Sequence, residues 1–132
     1  MARVNKFTAP IKVEVTNGSL DGLIEYKLIE GFQYYRTDNP KDILTVPVGF
    51  LTNGASIPRL FWSIVPPTGT KKNRVFQPAI LHDYLYETGE VSRKDADKIF
   101  LEAMKAMKVN WFIRYIFYWC VRLFARSHYN KG

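Results

Sequence analysis

The segment Leu81-His82-Asp83-Tyr84-Leu85-Tyr86, followed beyond Gly89 by Ser92-Arg93-Lys94-Asp95-Ala96-Asp97, decides how this chain is read. Helical signals run over residues 76–88, Gly89 supplies a left-handed stop, and Ser92 with Asp95 three residues later forms an approximate capping box. The prediction is two helices joined by a short break. On the second, Ala96, Ile99, Phe100, Ala103, Met104 and Met107 share one stripe, the side a core would bury.

His82 precedes Gly89 by about two turns and Asp97 follows it by slightly more, so at ~1.5 Å rise per residue an antiparallel hairpin brings the two level. Tyr86 lies one turn after His82 on the same face, while Asp83 is rotated by about 100° and points into a different groove. A carboxylate on one imidazole nitrogen fixes the tautomer and supports the imidazolium formed when the other nitrogen takes a proton from water. Asp97 suits that role, because Asp95 faces elsewhere. Asp83 is then available to a hard cation, which takes oxygen ligands and often recruits backbone carbonyls from a Gly-bearing loop. Asn53-Gly54-Ala55-Ser56 is the candidate loop. The same spacing also suits a capped hairpin in which His82 and Asp97 make one buried polar contact and Asp83 faces solvent. Composition and spacing leave both readings open.

Upstream of the hairpin the texture is different. Residues 11–15, 23–30, 32–37 and 43–50 alternate and are rich in β-branched and aromatic side chains, with turn clusters at Asn17-Gly18-Ser19 and Asp38-Asn39-Pro40. They predict a small antiparallel sheet. Residues 52–58 form a Gly-containing loop expected to enter a short helical turn through Phe61 and Trp62, and residues 66–72 break the chain again. Sheet first and helices after make an α+β fold, read here as a single domain over residues 1–132. At 132 residues and 47% hydrophobic the chain can bury a core of its own.

The third helix is expected over residues 111–126. Its run Trp111 to Phe124 is strongly aromatic, yet it is shorter than the ~20 apolar residues of a membrane span and is interrupted by Arg114 and Arg122. It reads as a core helix with Phe112, Ile116, Phe117 and Leu123 turned inward and a solvated basic edge of Lys108, Arg122 and Arg126. Trp and Tyr beside Arg would also suit a lipid head-group boundary.

Charge and composition narrow the chemistry further. Nineteen Lys and Arg against 12 Asp and Glu give +7, which favours an anionic surface such as phospholipid head groups, nucleic acid or an acidic protein. Arg114, Arg122, Arg126 and Lys131 would be the nucleic-acid contacts, but no DNA-binding module is recognisable. The single cysteine, Cys120, permits no internal disulfide and reads as a buried, inert thiol. No Cys/His zinc spacing, phosphate-cradling loop or serine nucleophile elbow is present. A metal-dependent phosphohydrolase of the HD type needs histidines upstream of His82, and the other histidine, His128, lies near the C-terminus. Residues 1–10 lack the apolar core of a signal peptide, so none is expected.

Two resemblances meet at these residues. Phe50-Leu51-Thr52-Asn53-Gly54-Ala55-Ser56-Ile57-Pro58, Leu81-His82-Asp83-Tyr84-Leu85-Tyr86 and the stretch from Ser92 to Met104 together resemble an uncharacterised family of small proteins encoded by tailed bacteriophages and prophages. That resemblance implies synthesis in the cytoplasm of an infected bacterial host, with incorporation into a virion or tail as one destination. His82-Asp83 with Tyr86, then Ala96-Asp97, is also similar to the core of phospholipase A2 of the parvovirus-capsid and microbial types. It implies that His82 activates water, Asp97 orients it, Tyr86 supports the site and Asp83 binds calcium with the Asn53-Gly54 loop. In place of that enzyme's Gly-X-Gly pattern the chain has Gly54 alone.

The expectation is a phage-encoded, phospholipase A2-like ester hydrolase acting on anionic phospholipid, with calcium assistance. Its competitor is a non-enzymatic virion, tail or host-interaction protein in which the His-Asp motif is structural.

Overall fold

The computed structural model describes residues 3–16, 25–37, 42–52 and 69–125. The chain divides into two compact units, Met1–Asn53 and Gly54–Gly132. Turns at Asn17-Gly18-Ser19 and Asp38-Asn39-Pro40, the helical turn at Phe61 and Trp62, and the C-terminal Arg126, His128 and Lys131 lie outside the described residues.

The first unit holds two three-stranded antiparallel sheets where the sequence suggested one. One is ordered β1 (Arg3–Phe7), β4 (Phe32–Thr37), β5 (Ile43–Val46); the other is β2 (Val13–Thr16), β3 (Glu25–Leu28), β6 (Leu51–Thr52). The predicted strand over residues 43–50 is split for a local reason. Pro47 offers no N–H to a ladder, and Gly49 adopts φ 89°, a left-handed conformation that ends the extended run. Gly49 N–H donates instead to the Leu28 carbonyl at 2.7 Å, delivering Leu51 and Thr52 to the second sheet. Strand β1 carries no strong alternation and was not anticipated; it pairs Phe7 with Tyr34. The Phe7 ring packs on Phe32 and Tyr34 with centroids 5.5 and 4.9 Å away, over a core that includes Leu28 and Val46. Gly31 is needed at the bend between β3 and β4, where a Cβ would lie 3.0 Å from the Val46 carbonyl oxygen.

The second unit is the helical layer: α1 (Gly69–Thr88), α2 (Arg93–Ala106) and α3 (Trp111–Phe124). Helix α1 starts seven residues earlier than the apolar pattern suggested, and runs through Pro78. An interior proline costs about 3 kcal/mol in an isolated helix, so burial of Val75, Ala79, Ile80, Leu81 and Leu85 outweighs local preference here. Gly89, at φ 65°, closes α1 by donating to the Leu85 carbonyl. Ser92 caps α2 as expected, its Oγ accepting from Asp95 N–H at 3.1 Å. The α2 stripe is buried at Ala96, Ile99, Phe100, Ala103 and Met104. Lys108 takes φ 62° so that Val109 N–H can reach the Met104 carbonyl, and Asn110 then caps α3.

Candidate active site

Helices α1 and α2 bring His82, Tyr86 and Asp97 together as their spacing predicts. His82 Nε2 lies 2.7 Å from Asp97 Oδ1, and the Tyr86 hydroxyl donates to the same oxygen at 2.5 Å. His82 and Asp97 are both completely enclosed, with the imidazole packed against the rings of Tyr86 and Phe100. Unpaired burial of a carboxylate would cost several kcal/mol, so the donors around it are a structural requirement as well as a chemical resource.

A third donor comes from α3. Arg122 Nη1 donates to Asp97 Oδ2 at 2.7 Å, so both carboxylate oxygens are engaged. Burial pushes the Asp97 carboxyl up, but the hydrogen bonds from His82, Tyr86 and Arg122 more than offset this, leaving it below its ordinary value. The same contacts act in reverse on the partners. Burial, then the Asp97 hydrogen bond, holds the Tyr86 phenol protonated well above its usual range, and the Asp97 hydrogen bond raises Arg122.

The protonation pattern follows. An ionised Asp97 accepts from every neighbour, so Nε2 of His82 carries a proton and donates. In the neutral ring the basic lone pair then sits on Nδ1, which is buried and without a hydrogen-bond partner. An imidazole held by a carboxylate on one side, with an unpaired lone pair on the other, is the arrangement of a general base.

Arg93 and Arg122 were not identified as site residues from sequence. Arg93 Nε donates to the Tyr86 hydroxyl at 3.2 Å, and its Nη2 bonds the carbonyls of Val121 and Arg122 at 2.8 and 2.7 Å. Two signals pointed to them. Arg93 places positive charge in the first turn of α2, against the helix dipole, and Arg122 is one of two cations in an otherwise apolar, aromatic run. The expectation that Arg122 forms a solvated basic edge is corrected by its bond to Asp97.

Asp83 is half-buried on the adjoining side of α1, while Asn53 and Gly54 lie outside the described residues. Among the described residues no group of three or more His, Cys, Asp or Glu side chains is placed to hold a metal. One carboxylate falls short of the six to eight oxygens that calcium takes, so the described residues do not by themselves build its site.

Helix α3 differs most from expectation. Phe117 and Val121 are buried, but Phe112 and Leu123, expected inside, are 58% and 66% exposed. They join Trp111, Tyr115 and Trp119 on an open apolar groove. No helix among the described residues is long and apolar enough to cross a membrane.

A small α+β chain with a buried His-Asp-Tyr cluster between two helices is thus the class that fold and site define. The chain belongs to the family described as protein of unknown function (DUF1353), whose pattern matches residues 26–121. It is similar to the uncharacterized protein y4jT of Sinorhizobium fredii (strain NBRC 101917 / NGR234), at 33% identity over 80 residues, covering 61% of this chain and 23% of that relative. The match therefore spans less than a quarter of the relative's length. No solved structure matches the chain significantly.

Proposed function

We propose that the protein is a phospholipase A2-like ester hydrolase acting on anionic phospholipid. The observation that carries the reading is the polarity of His82, with Nε2 on Asp97 at 2.7 Å and Nδ1 left as a lone acceptor. Nδ1 takes a proton from water as the water oxygen bonds to the ester carbonyl carbon. Asp97, held ionised by Tyr86 and Arg122, stabilises the imidazolium. When the tetrahedral intermediate collapses, the carbon–oxygen bond to the alcohol breaks, and the imidazolium returns its proton to the leaving alkoxide. The ring is fully enclosed, so this chemistry requires the site to open to substrate. Calcium would supply oxyanion stabilisation if Asp83 and carbonyls of the Asn53-Gly54 loop bind it; the proton transfers above need only His82 and Asp97.

A second reading is favoured by that same enclosure. With His82 and Asp97 at 0% exposure and three donors on one carboxylate, the cluster also suits a structural keystone in a non-enzymatic phage virion, tail or host-interaction protein. The experiment that separates the two is fatty-acid release from anionic liposomes by the wild type and His82→Gln, each with calcium and with chelator. Release lost in the folded variant supports the hydrolase and its base, and calcium dependence adds the metal. Silence from both folded proteins leaves the structural reading.

A further inference from the structure

We propose that the exposed arc of α3 is a docking face for an anionic phospholipid surface, with the helix lying in the plane of the head groups. At 100° per residue Trp111, Phe112, Tyr115, Trp119 and Leu123 share an arc of about 120°, opposite the buried Phe117 and Val121. All five are between 44% and 66% exposed, a concentration of open aromatic surface unusual for a free helix face. Its 14 residues extend ~21 Å, too short to cross a bilayer of ~30 Å but suited to lying along one.

Charge selects the occupant. From Ala103 to Gly132 the sequence carries Lys105, Lys108, Arg114, Arg122, Arg126 and Lys131 and no Asp or Glu. Residues 1–102 hold the other 13 Lys and Arg against all 12 Asp and Glu, so six of the seven net charges belong to the last 30 residues. A second copy of this chain would bring the same cationic segment against itself, with no acidic complement. Nucleic acid would need cations interleaved with the stacking rings, whereas the two arginines of α3, Arg114 and Arg122, are engaged on the Val109 carbonyl and on Asp97, and the exposed Lys105 and Lys108 precede the helix. Apolar Phe112 and Leu123 beside Trp111, Tyr115 and Trp119 fit acyl chains, and Lys105 in the last turn of α2 and Lys108 in the turn before α3 are exposed to meet phosphates.

The inference rests on the phospholipid reading for its biological sense, but its test does not require hydrolysis. The full chain, with Trp62→Phe so that emission reports Trp111 and Trp119, is titrated with vesicles of phosphatidylcholine alone or mixed with phosphatidylglycerol. Expected are a blue shift with the anionic vesicles, weakened by salt, and partitioning about tenfold or more weaker in the Phe112→Ser/Trp119→Ser double variant. These positions are exposed, so circular dichroism should show an unchanged fold. His82→Gln should bind like the wild type. Binding without fatty-acid release would uphold the docking face and remove the hydrolase; release from a soluble ester without vesicle binding would do the reverse. The proposal is overturned by absent binding in a folded protein, by equal binding of the double variant, by a dimer that buries the two tryptophans, or by preference for single-stranded oligonucleotide.

Discussion

Arg122 on α3 donates to Oδ2 of Asp97 on α2 at 2.7 Å, 25 residues upstream, so the helix with the open aromatic arc is tied directly to the carboxylate that holds His82. Arg93 secures the other end of this link by binding the Val121 and Arg122 carbonyls. The three helices therefore share one polar node inside a largely apolar core.

Breaking that node should be costly. Asp97→Asn leaves one acceptor oxygen where His82, Tyr86 and Arg122 all donate, and turns an amide toward donors. We expect a loss of about 2–4 kcal/mol in denaturant titration, below the range for a fully enclosed pair because Arg122 retains 26% side-chain exposure. A change under about 0.5 kcal/mol would mean the node is not formed in solution.

Replacing His82 separates packing from chemistry. The ring contacts Tyr86 and Phe100 at centroid distances of 4.1 and 4.9 Å, so His82→Gln should lose about 1–3 kcal/mol while keeping a cooperative fold. Ester hydrolysis should fall by about 10²–10⁴-fold. Unchanged hydrolysis in this variant would remove His82 as the base.

Acid and alkali should destabilise the fold through different groups. Asp97 titrates below its ordinary 3.8 when folded, so its contribution is complete above about pH 5 and lost as pH falls through the lowered folded value. Cys120 is pushed by burial from 9.0 up to about 11; its contribution is present below pH 9.0 and lost as pH rises through about 11. Tyr86 adds a loss of the same sign from its ordinary 10.0 upward. Denaturation midpoints measured across pH should fall at both ends, and Asp97→Asn should flatten the acid limb. An acid limb of undiminished slope in that variant would assign it to other carboxylates.

The thiol offers a probe of the core. Cys120 is 2% exposed with its pKa near 11, so at pH 7 the thiolate fraction is about 10⁻⁴. An aromatic disulfide reagent should react with it only at the rate of unfolding, and faster in Asp97→Asn. Rapid labelling of the native wild type would show that α3 is not packed as described.

Phe100 closes the dyad on one side and meets Phe117 across α2 and α3. Phe100→Ala should cost about 3–5 kcal/mol, read from the shift in denaturation midpoint, because it opens a cavity that a buried imidazole cannot fill. A loss below about 1 kcal/mol would mean the site collapses around the deletion.

Local pattern alone was enough for the helical hairpin, the Ser92 cap, the buried α2 stripe and the meeting of His82 with Asp97, since each depends on spacings within a few turns and on preferences that burial reinforced. The division of the strands into two sheets was not legible, because pairing partners are chosen by contacts distant in sequence and a turn such as Pro47-Val48-Gly49 can send the chain to either ladder. Burial of Pro78 within α1 likewise depended on a core that local propensity does not see. The roles of Arg93 and Arg122 were decided by tertiary structure for the same reason: a cation in an apolar helix announces that it needs a partner, but only packing three helices together shows that the partner is Asp97. The open face of α3 completes the division, because a helix with aromatic and aliphatic side chains on most of its circumference offers the core more than one apolar arc, and the fold alone determines which arc is left outside.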